Sequence, residues 1–189
     1  MTKIAIVFHS GYGHTAKVAE HVQKGAASAG ASVDLLAIDA EGNLPDAAWE
    51  TIKAADGVIF GSPTYMGSVS WQFKKFADAS SKPWYAQEWK SKVAAGFSNS
   101  ASLNGDKGST IQYLMTLAMQ HKMLWTGTGM MPASAKANTR DDINRLGGFS
   151  GLLSASPADG GVDEMIPGDL KTAEAFGVNV AEVVKSVKG

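Results

Sequence analysis

The segment that most constrains the fold of this chain is Lys3 to Ala16, with the sequence KIAIVFHSGYGHTA. The unbroken apolar run Ile4 to Phe8 has the length of a strand that is buried on both faces. It leads into a turn that contains Gly11 and Gly13, and apolar residues at helical spacing follow the turn. Unpaired amide groups at the start of a helix attract anions. We therefore expect a first βα unit whose turn holds a phosphate.

Strand and helix patterns alternate through the rest of the 189 residues. Further strands are predicted at 32–38, 57–60, 92–97 and 122–126, with a resumption of the sheet at 152–155, and helices at 45–55, 69–79, 110–121 and 170–187. This alternation predicts parallel strands joined by right-handed helical crossovers. We expect one α/β domain spanning 1–189, a flavodoxin-like three-layer sandwich with a five-stranded parallel sheet in the order 2-1-3-4-5.

Three unusual loops are predicted to meet at one edge of this sheet. They are Ser10–Thr15, Ser62–Gly67 and Ser98–Gly105, and each follows the end of a predicted strand. In a doubly wound fold the ligand crevice lies outside the carboxyl ends of the strands, where the strand order reverses. The three loops are therefore expected to line one binding site.

Composition excludes several classes of function. The formal net charge of −1 argues against a nucleic acid or a membrane surface as a partner that is held by charge. The chain has no cysteine, which excludes disulfides, thiolate catalysis and cysteine-bound metals, and the four histidines are too scattered for a metal site. No targeting segment or run of spanning length is visible. A soluble cytoplasmic protein is the expectation.

The turn also fits the Gly-x-Gly-x-x-Gly/Ala pattern of dinucleotide-binding proteins. That pattern requires an acidic residue at the end of the second strand to hold the ribose, and neither Asp34 nor Asp39 has both the position and the spacing. The hydroxyl groups of Ser10 and Thr15 favour a terminal phosphate, which presents more oxygens than a pyrophosphate. A flavin phosphate is the favoured ligand, and a tight turn that binds nothing is the alternative.

Two motifs carry a resemblance to a known family: Ser-Gly-Tyr-Gly-His-Thr at 10–15 and Gly-Ser-Pro-Thr-Tyr-Met-Gly at 61–67. Together they resemble the WrbA branch of the flavodoxin-like superfamily, which comprises FMN-dependent NAD(P)H:quinone oxidoreductases. The similarity spans nearly the whole chain and continues through 71–76, 97–100, 121–123 and 147–148. The chain departs from the family pattern in the loop 99–105, which carries fewer glycines, and at 126–129, where an aromatic residue is missing. These departures affect substrate choice and tetramer packing.

The resemblance assigns residues to a bound FMN. It implies that the phosphate is held by Ser10, Tyr12, Gly13, His14 and Thr15. It implies that the isoalloxazine ring is lined by Pro63, Thr64, Tyr65, Met66 and Gly67 and, on its other edge, by Ser98, Asn99, Ser100, Ala101, Ser102 and Leu103. His121, donated by a neighbouring subunit, would lie over the ring as the catalytic group. At a helix end, His121 also fits the simpler role of a capping cation.

These observations predict an oxidoreductase that passes two electrons from NAD(P)H through FMN to a quinone, and that forms a homo-oligomer, a dimer or a tetramer. The alternatives are a one-electron carrier of the flavodoxin type and an FMN-binding regulatory module. Carriers use a strongly acidic face to steer towards basic partners. The 17 basic residues nearly balance the 18 acidic ones, which places the carrier second.

Overall fold

A computed structural model describes residues 1–189 as a seven-stranded sheet with helices on both faces. The strands are β1 (Lys3–His9), β2 (Ser32–Ile38), β3 (Gly57–Tyr65), β4 (Ser68–Val69), β5 (Val93–Ser100), β6 (Leu124–Trp125) and β7 (Leu152–Ala155). The helices are α1 (His14–Ser28), α2 (Asp46–Ala54), α3 (Trp71–Ala79), α4 (Ser81–Tyr85), α5 (Lys107–Gln120) and α6 (Pro167–Lys188), with a short 3-10 helix at Val162–Glu164. None of these helices combines the length and the apolar character that a membrane span requires.

The strand order β2-β1-β3-β5-β6 confirms the predicted flavodoxin-like core. The pairs along this path are all parallel. The sheet has seven strands rather than the predicted five, because β4 folds back antiparallel against β3 and because two short strands, β6 and β7, share the last position. β6 pairs with Val93 and Ala94 at the start of β5, whereas β7 pairs with residues 97–100 at its end. The 26 residues 126–151 leave the sheet between β6 and β7.

Two strands extend further than the sequence pattern indicates. The predicted loops Ser62–Gly67 and Ser98–Gly105 both begin inside strands, since β3 continues to Tyr65 and β5 to Ser100. Polar residues occupy these strand ends, so hydrophobic patterning ends before the hydrogen-bonded ladder does. The ladder pairs Ser62 with Ser98, and both side chains are fully buried.

The alternation of side chains along each strand divides the core into two layers. In β1, Ile4, Ile6 and Phe8 face the layer that contains α1 and α6, whereas Ala5 and Val7 face the layer that contains α2, α3 and α5. β1 is therefore buried on both faces, as predicted, and this burial fixes where its carboxyl end lies.

α1 and α6 pack closely because glycines lie where their backbones cross. A Cβ atom on Gly177 would clash with the carbonyl oxygen of Val22, and one on Gly25 would clash with that of Glu174. A clash with backbone cannot be relieved by rotating a side chain. The two glycines therefore set the distance between α1 and α6.

We predict that Gly177→Ala lowers the free energy of unfolding by about 1–3 kcal/mol, as overpacking does elsewhere. The matched control is Gly108→Ala in α5, where a Cβ would enter open space. That change should be neutral or stabilise the protein by up to about 1 kcal/mol, because alanine favours the helix. Urea unfolding of both variants measures the difference. Equal stabilities would show that the two helices can move apart freely.

Candidate functional site

A cleft of about 370 Å³ lies at the carboxyl edge of the sheet. The turn after β1, the end of β3, the end of β5 with the loop after it, and the loop after β7 each contribute residues to its lining. The lining contains nine of the predicted site residues, namely Tyr12, His14, Thr15, Pro63, Thr64, Tyr65, Asn99, Ser100 and Ala101. The fold thus brings the three predicted loops to one place.

The turn after β1 presents unpaired donors. Gly13 caps α1 with a φ of 90°, a conformation that glycine adopts without strain, and no side chain caps the helix. Ser10 Oγ accepts a hydrogen bond from the amide of Ala16 at 3.1 Å, so this hydroxyl braces the turn from inside. The amides of His14 and Thr15 make no hydrogen bond within the protein, and neither does the buried Thr15 hydroxyl. The first turn of α1 carries no acidic residue, which leaves it ready to receive an anion.

Two tyrosines stand at the mouth of the cleft. Their rings meet edge to face, with 6.4 Å between the centroids of Tyr12 and Tyr65. A Cβ on Gly11 would lie 2.5 Å from the Tyr65 hydroxyl, so the glycine makes room for this phenol. Burial, with a smaller contribution from Tyr12, raises the pKa of Tyr65 above its usual value. Tyr65 therefore keeps its proton at neutral pH and remains a hydrogen-bond donor.

The end of β3 turns back sharply into β4. Met66 and Gly67 form the two-residue turn of this hairpin, and both have positive φ angles, 48° and 80°. A two-residue turn of this kind suits the twist of the strands. The Met66 side chain is fully exposed and does not line the cleft. Neither of these two predicted ring contacts lines the cleft.

Buried hydroxyl groups tie β3 to β5 and α5 behind the cleft wall. Thr64 Oγ1 lies 2.8 Å from Ser98 Oγ and 2.7 Å from Thr110 Oγ1. Ser98 Oγ donates to the carbonyl oxygen of Ser62 at 2.8 Å. Ser98 is fully buried, so it supports the wall rather than facing the cleft.

Asn99 connects β5 to β7 and to the loop that follows β7. Its Nδ2 donates to Ser156 Oγ at 2.9 Å, and its Oδ1 accepts from Ser154 Oγ at 2.9 Å. Both ends of this amide are thus used within the protein. Asn99, which is predicted to bind the ring, therefore also holds the loop after β7 in place as the fourth wall of the cleft.

The sequence prediction missed the loop after β7. Ser156, Pro157 and Ala158 line the cleft, and the Gly160 carbonyl oxygen lies 3.0 Å from His14 Nε2. A Cβ on Gly13 would lie 2.9 Å from Val162 of the 3-10 helix, so this loop packs directly on the turn after β1, residues 10–15, which we call the phosphate turn after its predicted ligand. A run of Ser, Pro and Gly residues after the predicted strand 152–155 was the available signal, because loops at the carboxyl edge of a parallel sheet join the same crevice.

The loop after β5 is organised by a buried lysine that the sequence pattern also missed. Lys107 Nζ donates to Ser100 Oγ at 2.8 Å, to the Ser102 carbonyl at 2.7 Å and to the Leu103 carbonyl at 3.0 Å. Ser102 and Leu103 contact this lysine through their main chain and do not line the cleft, although both were predicted to. The Leu103 side chain is exposed.

The structure places His121 away from the cleft. It follows α5, and a crossover helix returns the chain to the amino edge of a parallel sheet, opposite the carboxyl edge. There its ring stacks on Trp89 with 4.1 Å between centroids, and Nε2 lies 2.9 Å from Ser80 Oγ. The side chain is 4 % exposed, and its backbone caps α5. Catalysis by His121 finds no support in this geometry, since the stacked ring would have to leave its site to reach any cofactor.

The residues of the cleft suit a phosphate joined to a flat ring. The unpaired amides and the Thr15 hydroxyl offer donors that an anion could accept, and Tyr12, Tyr65 and Pro63 provide flat apolar surface beside them. No lysine or arginine lines the cleft. Fold and site together define a flavodoxin-like protein with a cleft for a flavin mononucleotide.

Comparison with known proteins agrees with this class. The family described as NADPH-dependent FMN reductase matches residues 2–137. A protein named flavodoxin FldP, from Pseudomonas aeruginosa, is 48% identical over 183 residues, which cover 97% of each chain. An NAD(P)H dehydrogenase (quinone) from Trichlorobacter lovleyi is 32% identical over 67% of this chain and 72% of its own. The crystal structure of a WrbA-like flavodoxin from Agrobacterium tumefaciens has a TM-score of 0.81 and 46% identity, and covers 98% of this chain and 99% of its own.

The chain belongs to the NADPH-dependent FMN reductase family. The predicted WrbA-type, flavodoxin-like relationship is confirmed. At the level of the family, so are FMN as the cofactor, a nicotinamide as the electron donor and an oxidoreductase as the class of enzyme.

The buried position of His121 predicts a loss of stability in acid. Burial lowers its pKa from 6.5 to about 4, so the folded protein keeps the ring neutral while the unfolded chain takes up a proton below pH 6.5. The free energy of unfolding should therefore fall as the pH falls from 6.5 to 4, by roughly 2–3 kcal/mol from this residue. Urea unfolding of wild type and His121→Phe at pH 7 and pH 4.5 measures the contribution. His9, whose pKa burial also lowers, is common to both proteins. An equal loss in both would contradict the assignment to His121.

Proposed function

We propose that this protein is an FMN-dependent oxidoreductase that passes two electrons from NAD(P)H to a quinone-type acceptor. The observation that carries the proposal is the start of α1, which opens into the cleft with free amides and no capping side chain. Such a helix start binds a phosphate through backbone donors and the helix dipole, without a cationic side chain.

The phosphate turn would hold the cofactor through a small set of groups. The amides of His14 and Thr15 and the Thr15 hydroxyl are free to donate to phosphate oxygens. Gly13 allows the turn its left-handed conformation, and Ser10 braces it through Ala16. Tyr12 is exposed at the mouth, where its ring can cover the bound molecule.

The remaining walls would enclose the ring and exclude water from it. Pro63, Ala101 and Pro157 offer apolar surface, and the Tyr65 phenol offers a donor at the mouth. When bound, FMN supplies hydride and two-electron chemistry, and protein groups beside the ring tune its electronics. Tyr65 remains protonated at neutral pH, so it can donate a hydrogen bond to the cofactor or to an oxygen of an acceptor.

The names of several relatives support a quinone as the electron acceptor. Proteins named NAD(P)H dehydrogenase (quinone) from Paracoccus denitrificans and Geobacter sulfurreducens match 99% and 98% of this chain at 27% and 30% identity. An enzyme that draws on NAD(P)H fits the predicted cytoplasmic location. That location and the homo-oligomer stay predictions, as does the binding of the ring by each predicted contact.

A flavodoxin-type electron carrier is the second candidate. It is favoured by the relatives at 48% and 46% identity, both of which are called flavodoxins. Against it stands the charge balance of 17 basic and 18 acidic residues, because carriers use an acidic face to steer towards partners. An FMN-binding regulatory module is a third possibility, with the same cofactor and little turnover.

We predict that the FMN-loaded protein is reduced rapidly by free NADH or NADPH and is reoxidised by an added benzoquinone. Anaerobic stopped-flow spectroscopy follows both steps through the loss and return of flavin absorbance near ~450 nm. Loading the protein with riboflavin in place of FMN separates binding through the phosphate from binding through the ring. Flavin that binds but responds only to a chemical reductant would contradict the oxidoreductase and leave the carrier and the regulatory module.

Thr15 offers a direct test of the phosphate site. Thr15→Val should weaken FMN binding by roughly 1–3 kcal/mol, the effect of removing a hydrogen bond to a charged group. Thr116→Val is the matched control, because the Thr116 hydroxyl lies on the exposed face of α5 and bonds only to the Gln112 carbonyl. Fluorescence titration of apoprotein gives both dissociation constants. If Thr15→Val bound FMN as tightly as the control, the phosphate would have to lie elsewhere.

A further inference from the structure

Lys107 occupies a position that is unfavourable for a cation. Its side chain is fully buried, although lysine is almost never completely buried unless it is paired. It is also the first residue of α5, and the start of a helix carries a partial positive charge that repels cations. A neutral side chain of similar length would avoid both costs, so the charge itself requires an explanation.

No carboxylate pairs with this ammonium group. Its three hydrogen bonds go to neutral oxygens, the Ser100 hydroxyl and two main-chain carbonyls. The charged groups that face it from neighbouring elements are Asp169 of α6 and Arg145 of the 126–151 segment. Both oxygens of Asp169 are engaged by Arg145, at 2.8 and 2.9 Å, and one also accepts from the amide of Ala155. The lysine is therefore left without a partner ion of its own.

The ammonium group of Lys107 lies close to the cleft, behind one of its walls. Ser100 and Ala101 line the cleft, and Lys107 Nζ lies 2.8 Å from Ser100 Oγ, directly behind that wall. The lining of the cleft itself contains no ammonium or guanidinium group. Interactions between charges are strong in such a buried setting, because water screens them poorly.

We propose that Lys107 is a positioning residue that sets the reduction potential of the cofactor, by opposing, through the Ser100 wall, the negative charge that the cofactor acquires on reduction. This inference rests on the proposed FMN site. The turn after β1 would bind its anion through amides and the Thr15 hydroxyl, and Arg145 is paired with Asp169, so Lys107 is an unpaired cation at the wall assigned to the ring. Burial lowers the pKa of Lys107 to about 8, which leaves it mostly protonated at pH 7 and therefore able to play this role.

The test compares Lys107→Gln, Lys107→Met and Lys107→Arg with the wild type, all loaded with FMN. Removing the charge should weaken binding of reduced FMN about tenfold more than binding of oxidised FMN, which corresponds to a two-electron midpoint potential about 30 mV lower. Lys107→Gln retains a hydrogen-bond donor for the loop, and Lys107→Arg retains the charge. We expect the lowered potential in the Gln and Met variants and a potential near that of the wild type in the Arg variant.

A purely structural role gives a different result. A loosened loop would weaken oxidised and reduced FMN equally and leave the midpoint potential unchanged, and that outcome for Lys107→Gln would overturn the proposal. Failure of the wild type to bind FMN would instead refute the proposed function. The two failures are therefore distinguishable by a titration of the wild type alone.

The wild type provides a second measurement that needs no folded variant. As the pH rises through about 8, the pKa of Lys107, the oxidised protein loses the proton of this group, and reduction should draw it back. The midpoint potential should then fall more steeply with pH, by roughly 30 mV per pH unit, the value for one additional proton per two electrons. A potential with no such change of slope between pH 7 and 10 would contradict the proposal.

Discussion

The helix start that follows β1 imposes the constraint on which the site depends. The first amides of a helix have no carbonyl partner within it and must be satisfied by a side chain, water or a ligand. Here the available side-chain acceptor, Ser10 Oγ, takes only the amide of Ala16. The burial of β1 on both faces holds the remaining donors at the carboxyl edge of the sheet, facing the cleft. An anion is the ligand that this arrangement satisfies best.

The division of the last sheet position between β6 and β7 builds the rest of the cleft. Because the chain leaves the sheet at 126 and returns at 152, β7 pairs only with the carboxyl half of β5 and delivers a further loop to the edge. The Asn99 amide and the His14 ring both bond to this loop. The buried pair of Arg145 and Asp169 joins the 126–151 segment to α6 and to the end of β7. A segment outside the sheet thus stabilises the fourth wall.

The fold was predictable because hydrophobic patterns and the alternation of strand and helix determine a doubly wound sheet almost completely. The start of the site was predictable for the same reason, since Gly13 and Thr15 follow a buried strand directly. The ends of β3 and β5 were not, because Ser62 and Ser98 are polar residues that belong to the ladder and give no hydrophobic signal. The role of Lys107 was hidden, since a lysine in a sequence is expected at the surface. The burial of His121 against Trp89 was not predictable either, because a motif gives no indication of the edge to which a helix returns, and its role in a neighbouring subunit stays a prediction.

With FMN bound as proposed, the two ends of the cleft would meet negative charge in different ways. At the turn after β1, partial charges on amides would suffice, because a phosphate keeps its charge throughout a reaction cycle and a fixed set of dipoles can match it. A flavin ring gains negative charge on reduction, so it has an oxidised and a reduced state of different charge. A group beside the ring changes the energy difference between these states only if it interacts with them unequally. A full charge does so more strongly than a neutral donor. The buried ammonium group of Lys107, held rigidly by three hydrogen bonds, is placed where such a difference can be expressed.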